Sequence, residues 1–124
     1  MSRIQHERLK VRRPCVAWLR TMRAYNQLKR YQSVYVSCPP DLGKQTPKAI
    51  ASFVADGYES GVYDMTIVAA NPGVVKVWLI EFKWGTNNYT KEQSQVAASF
   101  SNTPVTTVKI YSVEEFQKFI TENL

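Results

Sequence analysis

Three side chains in this 124-residue chain have types and a spacing that suit metal-assisted hydrolysis: Asp64, Glu81 and Lys83. Asn71-Pro72-Gly73 lies between them and reads as a tight turn joining two strands, since Pro fixes φ and Gly accepts φ > 0. A turn centred between Pro72 and Gly73 sets Asp64 opposite Glu81. Cβ atoms so placed lie ~4.5–5.5 Å apart on one face, and Lys83, two residues on, shares that face. Two carboxylates this close repel unless a cation sits between them. A divalent metal with oxygen ligands resolves the repulsion, polarises a phosphate and lowers the pKa of a bound water. The lysine beside it orients that water and offsets charge building in the transition state. Phe82 points to the other face, but its carbonyl lies in the sheet plane and is placed to complete the metal's oxygen shell. A Glu-x-Lys pair is also common on exposed strands as a cross-strand ion pair. Here the strand from Val74 to Lys83 is otherwise apolar, where a charged pair is costly unless it is used.

The elements that must position these residues follow from periodicity and caps. Residues 2–13 read as a polar helix that Pro14 breaks or restarts, Pro14 itself suiting a first-turn position. Cys15, Trp18, Leu19, Met22 and Tyr25 form an i, i+3, i+4, i+7 stripe, predicting a helix to about Tyr31. Ser33–Ser37 alternates as a short strand, and Cys38 to Gln45 is a loop. Thr46 caps a helix with Pro47 in its first turn, with Ala49, Ile50, Phe53 and Val54 as its apolar face and Gly57 as its stop. The hairpin follows, its second strand central and covered on both faces. Thr90-Lys91-Glu92-Gln93 and Ser112-Val113-Glu114-Glu115 fit capping boxes opening two more helices, with a strand over Val105–Tyr111 between them. This order predicts one α/β domain with a mixed sheet flanked by helices.

Charge is unevenly placed. The net formal charge is +6. Residues 1–48 carry 11 Lys/Arg against 2 Asp/Glu, and residues 49–124 carry 5 against 8. A basic half suits a polyanion, and the acidic site sits in the other half. Arg12, Arg13, Lys44 and Lys48 are the candidate phosphate contacts. No run of about 18 apolar residues predicts a membrane span, and Met1 to Arg13 lacks the apolar core of a signal peptide, so a cytoplasmic protein is expected. Cys15 and Cys38 read as reduced packing residues. His6 reads as a surface residue. Tyr25, Tyr31, Tyr35, Trp18 and Trp84 are able to stack bases. Most read better as core, except Trp84, which borders the site loop.

From about Thr46 to Phe119 the chain resembles the VRR-Nuc domain of the PD-(D/E)xK nuclease superfamily. The residues that carry the resemblance are Gly57-Tyr58-Glu59-Ser60-Gly61-Val62-Tyr63-Asp64, then Ile80-Glu81-Phe82-Lys83, then Thr90-Lys91-Glu92-Gln93, and Val108 to Glu115. Tyr63 stands where the family usually has proline. The resemblance implies a restriction-endonuclease-like fold, with residues 1–32 as a basic helical part and 33–124 as the catalytic sheet and its helices. It implies that Asp64 and Glu81 are metal ligands with the Phe82 carbonyl, that Lys83 is the catalytic lysine, and that Gln93 sits at the site. It implies a glutamate from the first helix near the metal, for which Glu7, the only acidic residue before Asp41, is the candidate.

The expected function is a Mg²⁺- or Mn²⁺-dependent DNA nuclease. It is expected to act as a homodimer, host-cytoplasmic if virus-encoded, on branched DNA such as four-way (Holliday) junctions. Rival readings are a non-catalytic nucleic-acid-binding module and a sequence-specific restriction-type endonuclease.

Overall fold

The turn at Pro72-Gly73 sets the frame of the sheet. Gly73 takes φ +80°, a conformation open to a residue without Cβ. It joins β2 (Met65–Asn71) to β3 (Val74–Phe82). Met65 pairs with Ile80 and Asn71 with Val74, the register that a turn centred between Pro72 and Gly73 dictates. The computed structural model describes residues 2–40, 46–59 and 61–124.

β1 (Ser33–Ser37) runs antiparallel along β2, and β4 (Val105–Ile110) runs parallel along β3, giving a four-stranded mixed sheet in the order β1-β2-β3-β4. On one face Met65, Ile67, Ala69, Trp78, Ile80, Phe82 and Ile110 meet two helices. These are α2 (Arg13–Ala24), through Cys15 and Leu19, and α5 (Val113–Asn123), through Phe116 and Ile120. The Phe82 and Phe116 rings meet edge-on at 5.6 Å. Over the other face, α3 (Pro47–Ala55) and α4 (Lys91–Ser99) border a cavity of about 530 Å³ with Thr66 and Leu79 at its floor. The architecture is thus the mixed sheet flanked by helices that the element order predicts.

Several local expectations are corrected. The helix predicted to reach Tyr31 ends at Ala24. Asn26 adopts φ +53°, its N–H donates to the Arg23 carbonyl, and that of Gln27 donates to the Met22 carbonyl. This is a Schellman stop with Asn in the left-handed position usually held by Gly. Tyr25 is therefore 74% exposed, and Tyr35, on the edge strand, is exposed as well; neither is a core residue. Cys15 is buried as expected, but Cys38 is exposed. α3 is capped by Thr46 and stopped at Gly57 as predicted. Its apolar face, however, buries no residue, and Val54 is 54% exposed. β3 is covered on both faces only toward Phe82, since Val74 and Val75 near the turn stand exposed. At the start of α5, Ser112 Oγ accepts from the Glu115 N–H. The Glu115 carboxylate, though, accepts from the N–H of Tyr111, one residue before the cap.

The N-terminal helix holds the largest departure. Pro14 takes the first-turn position expected of it, but the chain does not break there. α1 (Arg3–His6) passes into a π-helical segment, Glu7–Arg12, and this passes into α2 with Pro14 in its first turn. The Arg13 N–H reaches back to the Arg8 carbonyl, the i→i+5 bonding of a π-turn. Glu7 and Arg12 lie five residues apart. In an α-helix such residues point about 140° apart; the wider turn brings them toward one side.

Gly61 fixes where α4 begins. It has φ +82°, and a Cβ there would stand 2.9 Å from Glu92 Cβ and 3.0 Å from the Glu92 carbonyl carbon. Gly61→Ala is expected to cost about 1–3 kcal/mol of stability, from backbone strain and displacement of the first turn of α4. Urea unfolding of the two proteins checks this; a change under about 0.5 kcal/mol would show that the contact relaxes freely.

Candidate active site

Asp64 lies one residue before β2, at the position that continues the β2–β3 register opposite Glu81. Its side chain spans the two strands. Oδ2 accepts from the Phe82 N–H at 2.9 Å, and Oδ1 accepts from Arg12 Nη1 at 3.1 Å. Glu81 returns the contact, its Oε1 accepting from the Asp64 N–H at 3.1 Å. Its other oxygen, Oε2, accepts from Gln93 Nε2 at 2.5 Å and lies 3.4 Å from Lys83 Nζ. Lys83 in turn donates to Gln93 Oε1 at 3.2 Å. Glu81, Lys83 and Gln93 are the three buried polar residues among the described residues. The Lys83 N–H donates to the Ile110 carbonyl, and the Phe82 N–H points the opposite way, to Asp64. N–H and C=O of one strand residue point to the same edge, so the Phe82 carbonyl is aimed at the Asp64 edge.

Gln93 has two duties through one oxygen. Its Oε1 accepts from the Thr90 N–H at 2.9 Å as the capping box requires, and accepts from Lys83 as well. The capping role and the site role are therefore the same placement. Tyr63 secures it from below: its hydroxyl donates to the Gln93 carbonyl at 2.9 Å. This contact has no signal in the local sequence pattern, because its partner lies thirty residues away.

The carboxylates strain against one another electrostatically. Burial first, and then the charge of Asp64, push Glu81 up to about 7; Lys83 and the hydrogen bond from Gln93 act the other way. Burial also raises Asp64, against the hydrogen bond from the Phe82 N–H, the Arg12 charge and a hydrogen bond shared with Glu81. The pair therefore holds a proton where isolated carboxyls would not.

Glu7 reaches the same neighbourhood from the π-turn. Its carboxyl accepts from the Trp84 N–H, feels Lys83 and Asp64, and is raised chiefly by burial. It does not join Asp64 and Glu81 in a three-carboxylate cluster; no group of three acidic, His or Cys side chains set to hold a metal occurs among the described residues. His6, expected as a lone surface residue, stacks on Trp84 with ring centroids 4.9 Å apart.

The basic candidates divide. Arg12 is at the site, tied to Asp64 and, through Nη2, to the Pro39 carbonyl at 2.7 Å. It is thus bound to an acidic ligand candidate and does not lie on an open basic face. Arg13 and Lys48 are exposed and take no part in the cluster. Lys44 lies outside the described residues.

No family profile, curated protein or solved structure matches this chain. The donor set itself therefore decides what the site can hold. It comprises two carboxylates in hydrogen-bond contact and a carbonyl aimed at the same edge, with no His or Cys among them. All are hard oxygen donors, which suit Mg²⁺ or Mn²⁺ and not zinc.

The pH dependence follows in sign. Unfolded, Glu81 loses its proton near 4.5; folded, it holds it to about 7. The native state thus binds more protons between those values, so metal-free stability falls as pH rises through that window and stays lowered above it. Glu81→Gln is expected to flatten this fall and to be the more stable protein at pH 8. Urea unfolding in chelator at pH 5 and pH 8 measures both; an equal slope in the two proteins would remove Glu81 as its source.

Proposed function

We propose that this chain is a divalent-metal-dependent DNA phosphodiesterase of VRR-Nuc type, with the restriction-endonuclease-like arrangement of the PD-(D/E)xK nucleases. The observation that carries this reading is the buried cluster in which Asp64 and Glu81 meet across β2 and β3 with Lys83 Nζ 3.4 Å from Glu81. Each carboxylate has its own cation, Arg12 for Asp64 and Lys83 for Glu81, yet setting the two acids against each other raises the cost of their burial.

Asp64, Glu81 and the Phe82 carbonyl would hold the ion, with Glu7 beside them. Bound there, the ion supplies Lewis-acid polarisation of the phosphate and a water of lowered pKa. Lys83, held beside Glu81, would orient the attacking water and offset the charge that builds on the phosphate oxygens. Gln93 holds Lys83 and Glu81 in one geometry through its two amide atoms, with α4 and Tyr63 as its support. The exposed Arg13 and Lys48 remain available to a phosphate backbone. A domain of this size offers one site and few contacts, so a homodimer placing two sites on two strands of a branched DNA is the fitting form.

The test is cleavage of a labelled four-way junction and of plain duplex with Mg²⁺ or Mn²⁺. Wild type is expected to cut the junction, with Glu81→Ala and Lys83→Ala slowed at least about a hundredfold. Binding without cutting in either ion would favour a non-catalytic binding module, and cutting only plain duplex at fixed sequences would favour a restriction-type enzyme. Independently of turnover, Mg²⁺ or Mn²⁺ should raise the Tm of wild type more than that of Asp64→Ala. Equal shifts would remove Asp64 from the ligand set.

A further inference from the structure

We propose that Arg12 couples cation binding to DNA binding. It guards Asp64 in the free protein and passes to a substrate phosphate when both ligands are present. The inference rests on the metal-dependent phosphodiesterase reading and adds a positioning residue to it.

The geometry places Arg12 in direct competition with a metal. Its Nη1 lies 3.1 Å from Asp64 Oδ1, and the other Asp64 oxygen is engaged by the Phe82 N–H. A divalent ion taking Asp64 as ligand would stand within a few ångströms of the guanidinium, and two cations at that spacing in a half-buried place repel strongly. Arg12 therefore opposes cation entry as long as it stays on Asp64. Its side chain is 17% exposed and that of Asp64 23%, so the pair is neither fully sealed nor freely solvated.

The departing guanidinium needs a new anionic partner. Its second bond, Nη2 to the Pro39 carbonyl at 2.7 Å, anchors it at the edge of the site. A phosphodiester is the group a guanidinium binds best by paired hydrogen bonds. A DNA backbone crossing the site brings such a group beside the ion. Arg12 would leave Asp64 to hold that phosphate, and a bound cation would then have no guanidinium beside it. By linkage each ligand tightens the other by the same factor. The site thus stays charge-balanced without DNA, with Arg12 standing in for part of the cation.

The test is calorimetric titration of Ca²⁺, a hard cation of the same oxygen preference, into the protein alone and into its complex with a synthetic four-way junction. In wild type the junction should tighten Ca²⁺ binding at least about fivefold, the low end of ordinary coupling. Arg12→Met should bind Ca²⁺ more tightly than wild type without DNA, with the coupling reduced to near one. Arg12→Lys, which keeps the charge and can still meet phosphate, should keep most of the coupling. A merely structural Arg12 would instead weaken Ca²⁺ binding when replaced. Ca²⁺ binding with the same coupling factor in Arg12→Met and wild type overturns the inference and leaves the metal site standing. Failure of wild type to bind Ca²⁺, Mg²⁺ or Mn²⁺ at all overturns both.

Discussion

Two carboxylates set against each other across a strand pair are the constraint around which this molecule is arranged. The β2–β3 register forces Asp64 toward Glu81, and no choice of rotamer takes either away from the other without breaking a backbone hydrogen bond. Every neighbouring element answers that pressure with a donor. β3 gives the Phe82 N–H, β2 leads in with the Asp64 N–H, the π-turn gives Arg12, and α4 gives the Gln93 amide. Each carboxylate oxygen has at least one donor, and still the pair is pushed toward protonation. Burial outweighs these donors, the Arg12 and Lys83 charges included.

The hairpin was legible in the sequence because its signal is local. Pro72-Gly73 fixes the turn, the turn fixes the register, and the register fixes the pair. The caps at Thr46, Thr90 and Ser112 were legible for the same reason, as each needs only three or four adjacent residues. What escaped was set by contacts distant in sequence or by conformations that composition does not mark. Asn26 stops α2 from the left-handed region, which Asn enters far less often than Gly. The apolar face of α3 has the right period, yet periodicity says only that a face is apolar, not that something covers it. Arg12 looked like one more basic residue; its bond to Asp64 joins residues fifty-two positions apart.

Gln93 shows how a local rule and a site can coincide. A capping glutamine ordinarily spends its side chain on its own helix end. Here the helix begins under the strand that carries Glu81 and Lys83, so the spare lone pair and the amide hydrogens meet them. The precision of that meeting depends on Gly61 and Tyr63, which fix the depth at which α4 starts. The site is thus held by the beginning of a helix and not by its body, and the exposed remainder of α4 is free of that duty.

The π-helical segment has a consequence in residue counting. A turn that closes after five residues instead of four carries one residue more than an α-helix needs for the same path. The same residues wound as an unbroken α-helix into Pro14 would keep the core stripe of Cys15 and Leu19 beyond it. Everything upstream, however, would be turned by about 100°. Glu7 would lose Trp84 and Lys83, and His6 would lose its stack, while the fold kept its sheet and core. The π-turn is a phase setting: the helix as a structural element is nearly indifferent to it, while the helix's contribution to the site depends on it entirely.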